Sequence, residues 1–85
     1  MAQNKLAEAE TAIRPALEQP ANRERAMIAM SEIEARRNRP DQAIDWLTRA
    51  AQASPSAIDP RLRLVLLYIA RNEPRRALAT VSELL

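Results

Sequence analysis

The chain has 85 residues, enough for one small domain and below the size at which a single hydrophobic core is comfortably stable. It contains no glycine, cysteine or histidine, which excludes a Gly-rich phosphate loop, thiolate or imidazole chemistry and the usual zinc ligands, so no enzyme activity, cofactor or metal site is expected. Thirteen basic against eleven acidic residues give a net charge of +2, too mild a balance to imply nucleic acid or an anionic membrane surface.

Ala, Leu, Arg and Glu dominate, β-branched residues are sparse and the only aromatic residues are Trp46 and Tyr68, so the intrinsic preference is helical throughout. A first helix is predicted over 4–19, where Pro15 removes a backbone donor and should kink or shorten it. A second follows over 23–37. Asn38 then suits the left-handed conformation that ends a helix, and Pro40 suits the first turn of the next. The third helix, 41–53, carries one apolar stripe of Ala43, Ile44, Leu47, Ala50 and Ala51. The fourth, 60–71, buries Leu64, Leu67 and Tyr68, and Asn72 with Pro74 repeats the earlier turn before a fifth helix over 75–85 with Leu78, Val81 and Leu85. Such short turns force antiparallel neighbours, so the expected architecture is all-α, a series of helical hairpins.

The two turns belong to a longer period. Asn4, Asn38 and Asn72 stand 34 residues apart, as do Ala9, Ala43 and Ala77, Pro40 and Pro74, and Arg37 and Arg71. With only four asparagines in the chain, the asparagine register is not coincidence. The unit resembles the tetratricopeptide repeat, whose pattern can be laid on 24–57 with Met27, Met30, Ser31, Ala43, Leu47, Ala50 and Pro55 at its large, small and terminating sites. Glu34 departs from it, standing where a large residue is expected. In 58–85, Leu64, Tyr68, Ala77 and Val81 match, while Arg61 replaces a tryptophan and Val65 a small residue. Residues 1–23 keep only a second helix, with Ala9, Ile13 and Ala16. The small residues allow close helix approach, and stacked hairpins are expected to bury one continuous core. The resemblance implies about five helices stacked in a right-handed superhelix, and the expectation is of a portion of a longer array.

The same resemblance implies where function sits, because in the family the first helix of each unit lines a concave groove for a peptide or partner helix. The corresponding positions here are Arg25, Ile28, Glu32, Ala35 and Arg36, then Asp59, Leu62, Leu66, Ile69 and Ala70. Family members that clamp a terminal carboxylate place basic residues and asparagine where this sequence has Ile28, Glu32, Leu62 and Leu66, so that clamp is not expected. The apolar members stand either as an exposed binding stripe or as residues covered by neighbouring repeats. The implied function is a non-enzymatic scaffold for a protein or peptide partner. The alternatives are a structural spacer with no ligand and an anion-binding edge formed by Arg36, Arg37, Arg39, Arg71, Arg75 and Arg76. Arginines at helix C-termini have an ordinary explanation in the helix dipole, and the two lone aromatics give single-stranded nucleic acid little to stack on. Trp46 and Tyr68 are expected in helix interfaces. Glu34 is expected to be either exposed or paired with an arginine such as Arg37 or Arg71.

Charge is distributed unevenly: residues 1–34 hold four basic and six acidic side chains, and residues 35–85 hold nine and five. Arginine almost excludes lysine and alanine is abundant, which suggests a GC-rich bacterial gene. The endings LTRAAQASP and TVSELL look similar to those of repeat-rich bacterial lipoproteins of exopolysaccharide and protein-sorting systems. No run is long and apolar enough to contact a membrane core, and the absence of cysteine leaves both the cytoplasm and the periplasm or envelope open. The apolar ends, Leu6, Ile13, Leu84 and Leu85, leave the oligomeric state open as well.

Overall fold

The computed structural model describes residues 2–85 and contains five α-helices, α1 (Ala2–Leu17), α2 (Arg23–Arg36), α3 (Pro40–Ala53), α4 (Asp59–Ala70) and α5 (Pro74–Leu84), with no strand among the described residues. Each helix packs on its neighbours in the chain, α1 on α2, α2 on α3, α3 on α4 and α4 on α5. The Cα envelope measures 36 × 29 × 13 Å, so the molecule is thin in one direction and few side chains lie far from a surface. No helix among the described residues is long and apolar enough to cross a membrane.

The hairpin turns form for the reasons visible in the sequence. Asn38 and Asn72 take φ of 62° and 60°, and they are the non-glycine residues with positive φ in the described chain. At the first turn the Asn38 N–H donates to the Ala35 carbonyl at 3.0 Å and the Arg39 N–H to the Glu34 carbonyl at 2.8 Å. The second turn repeats this, with Asn72 to Ile69 at 2.9 Å and Glu73 to Tyr68 at 2.8 Å. These paired bonds satisfy carbonyls that the helix end would otherwise leave without partners. Pro40 and Pro74 then open α3 and α5, where a missing N–H costs nothing. Asn4 shares the register but lies inside α1, where Leu6 stands in place of a proline. Pro15 sits in the last turn of α1, which ends at Leu17, two residues short of the expected boundary. Arg23 closes that end by donating from Nε to the Leu17 carbonyl at 3.0 Å.

Small residues bring the helices together as anticipated: Ala43 and Ala50 are completely buried, and Ala77 and Ser31 nearly so. The Ser31 hydroxyl donates to the Ile28 carbonyl at 2.6 Å, which removes the cost of burying it. The core is divided rather than continuous. One cluster joins Ile28, Leu47, Ala50 and Leu64 with Met27, Ile44, Leu67 and Tyr68; another joins Leu6, Met30 and Ile33 with Ala9, Ile13, Leu17 and Trp46. The cause is α2, which is clamped between α1 and the α3–α4 pair and so buries two faces: Ile28 and Met30, two residues apart on a helix, point to nearly opposite sides. Trp46 and Tyr68 are both helix-interface residues, and the Arg49 guanidinium covers the Trp46 ring at 5.1 Å from its centroid.

Candidate functional site

The face of α4 that continues away from the core carries Leu62, Leu66 and Ile69, spaced four and three residues apart and therefore aligned along one side of the helix. They are 49%, 67% and 59% exposed. Asp59 stands at the start of the same face and accepts a bond from Arg63 Nε at 3.1 Å. On α2, Arg25, Glu32, Ala35 and Arg36 are exposed. Ile28 is not available to a ligand: it is 7% exposed and packs in one cluster with Leu47 and Ala50 of α3 and Leu64 of α4.

A shallow cavity of about 190 Å³ lies between α2 and α4, lined by Ser31, Glu32, Ala35, Leu47, Arg63, Leu66 and Leu67. Across its rim Arg63 donates to Glu32 at 2.5 Å. A second cavity of about 180 Å³, between α1 and α2, is lined by Leu6, Ala9, Ile13, Ala29, Glu32, Ile33 and Arg36. The structure thus brings Glu32 and Leu66 together in one cavity and Glu32 and Arg36 in the other, whereas Arg25, Asp59, Leu62 and Ile69 line neither. Arg63 is the site residue that sequence reasoning missed. Its contact with Glu32 spans 31 residues, and the only local sign of it was the helical spacing from Asp59.

The arginines of the turn edge are mostly engaged. Glu34 is buried and meets Arg37 at 2.8 Å and Arg39 at 3.5 Å, which resolves its departure from the repeat pattern in favour of pairing. Arg37 also donates to Glu10 of α1 at 2.7 Å, and Arg14 bonds the other oxygen of Glu10. The Arg37 bond, then the Arg14 bond, hold the Glu10 carboxyl below the usual carboxylate range. Arg71, at the equivalent end of α4, reaches Asp41 at the start of α3 and lies 3.3 Å from Glu73; Arg76 lies 3.7 Å from the same carboxylate. Arg61 stands where the repeat pattern expects tryptophan, and it does a different job there. Its guanidinium donates to the Pro55 and Ala57 carbonyls at 2.9 and 3.2 Å and to Glu83 at 3.2 Å, tying the α3–α4 linker to α5.

The fold is an all-α array of antiparallel helical hairpins that repeat in sequence and in structure. A family model of the tetratricopeptide repeat matches residues 34–85. The chain belongs to the tetratricopeptide repeat family, whose members in general mediate protein–protein interaction without catalysis. No curated protein and no solved structure matches it.

Proposed function

We propose that this chain is a non-enzymatic scaffold that holds a peptide or partner helix along the face of α2 and α4. The observation that carries the reading is the row Leu62, Leu66 and Ile69, three large apolar side chains left in water on α4, with Leu66 opening into the cavity rimmed by Glu32 and Arg63. Exposed apolar residues gathered beside a fixed ion pair supply both the affinity and the orientation that peptide recognition needs. The anion-binding alternative has less support, because Arg37, Arg39, Arg71 and Arg76 already face carboxylates. The spacer reading is supported by one observation, the burial of Ile28 in the cluster with Leu47, Ala50 and Leu64.

The test is to pan a displayed library of short random peptides on the chain and on a Leu66→Glu variant whose helicity is checked by circular dichroism, then map a selected peptide by amide chemical shifts. The expected result is enrichment of apolar peptides that shift Glu32, Ala35 and Leu66 and are lost with the folded variant. Failure of any peptide to enrich favours the spacer. Peptides that map to the arginine edge, with steep salt dependence, favour the anion binder.

A further inference from the structure

We infer that the cavity between α2 and α4 recognises an extended, uncharged stretch of a partner chain by its backbone, with one large apolar side chain seated inside, and that it does not recognise a helix. This rests on the scaffold reading above and names the form of its ligand. Ala35, Leu47, Leu66 and Leu67 give the cavity an apolar lining. Ser31 lies among them, but it is buried and its hydroxyl proton is already given to the Ile28 carbonyl. The interior therefore offers no free donor to a polar group. An apolar cavity of about 150 Å³ accepts a benzene-sized group, so a volume of about 190 Å³ suits a leucine, methionine or phenylalanine side chain.

The polar groups stand at the rim, and they come as a pair. Arg63 donates from Nη1 to Glu32 Oε1 at 2.5 Å and from Nε to Asp59 Oδ1 at 3.1 Å. Glu32 Oε2 and Arg63 Nη2 are left without a partner among the described residues, on side chains that are 51% and 38% exposed. Asp59 lies in the first turn of α4, where the helix dipole balances it, and Glu32 balances Arg63, so an ionised ligand group meets no unmatched opposite charge. The rim offers instead one acceptor beside one donor. An extended residue presents its N–H and C=O on one side of the backbone, which is how a residue in an antiparallel ladder exchanges both bonds with a single opposite residue. Glu32 accepts from that N–H and Arg63 donates to that C=O, while the side chain leaves the plane of the backbone and enters the cavity. A helix cannot be held in this way, because its backbone groups are bonded to one another everywhere except at its ends.

The probe is a capped, uncharged heptapeptide of alanine and serine with one central leucine, titrated to millimolar concentration into the isotope-labelled full chain and followed by the amide shifts of Ala35 and Leu66. Beside it run the same peptide with an ester in place of the leucine N–H, one with alanine for the leucine, one with glutamates flanking the leucine, and a hydrocarbon-stapled helix presenting the same leucine. The parent peptide should shift both amides, and the ester should bind about five-fold more weakly, the worth of one hydrogen bond to a partly exposed charged group. The alanine peptide and the stapled helix should not bind in this range, and the flanking glutamates should add no affinity. In Glu32→Ala, an exposed substitution with helicity checked by circular dichroism, ester and amide should bind alike, because the acceptor of that N–H has gone. Equal binding of ester and amide by the native chain, or a gap that survives Glu32→Ala, would overturn the inference. So would an alanine, acidic or helical peptide that binds as tightly as the parent. Shifts at Ala35 and Leu66 caused by the helix would still support the scaffold reading, whereas no shift by any of the peptides would remove both.

Discussion

Replacing Leu47 by alanine should weaken the molecule more than any comparable change on its surface. Leu47 is 1% exposed and sits in the cluster formed with Ile28, Ala50 and Leu64, so α2, α3 and α4 all lose contact with it. Three carbon groups removed at about 0.8 kcal/mol each, plus the cavity left between helices, give about 3 kcal/mol. A chain of this length is held by roughly 4 to 13 kcal/mol in all, so the loss is a large share of the total and should lower Tm by about 12 °C or more. Urea and thermal melts followed by far-ultraviolet circular dichroism measure it, with Leu78→Ala as the control. Leu78 is the same residue type on the next repeat's second helix but is exposed, and its truncation should stay within about 0.5 kcal/mol. If the two substitutions cost the same, the cluster around Leu47 is not what joins the hairpins.

Two further outcomes follow from the charges and the turns. Because Glu10 has a lowered carboxyl pKa in the fold, its pairing contributes fully above its unfolded value, about 4.5, and is lost as pH falls through the lower folded value. The urea midpoint should therefore drop through that acidic window, and Glu10→Gln should make the drop shallower; an unchanged slope would show that the pairing with Arg37 and Arg14 does not persist in solution. Asn72→Ala should cost about 1 kcal/mol, because alanine pays for a positive φ that asparagine tolerates, whereas Asn72→Gly should be neutral or slightly stabilising. A denaturation series comparing the three side chains checks this, and equal stability of the alanine and glycine variants would contradict it.

What could be read in advance was set locally. Asn38 with Pro40, and Asn72 with Pro74, end one helix and begin the next through bonds no more than five residues long, so their sequence is sufficient to specify them. The stripe Ala43, Leu47, Ala50 and Ala51 was legible for the same reason, being one face of a single helix. Contacts set between helices were less visible. Ile28 reads as a groove residue because nothing in α2 reveals that Leu47, Ala50 and Leu64 of the later helices will pack around it. The partner of Glu34 was within reach of local reasoning, since Arg37 is three residues away, but the second carboxylate that Arg37 holds belongs to Glu10, 27 residues earlier. Arg61 could be recognised as a departure from the repeat, yet its role depends on where the linker carbonyls of Pro55 and Ala57 come to rest. The two-sided burial of α2 was likewise hidden, because a helix with apolar residues on both faces shows no clear stripe to read.

The order of packing has a kinetic meaning. Each helix rests on those adjacent to it in the chain, and among the described residues no substantial contact links α1 to α4 or α5. Closing such contacts requires only short loops, so the barrier to forming the structure should be low and folding can begin at any hairpin. The same arrangement lets the ends open without the middle. Hydrogen exchange should be slower in α2, α3 and α4, which have a neighbour on each side, than in α1 and α5, which have one, so that in dilute denaturant the outer helices open before the inner ones.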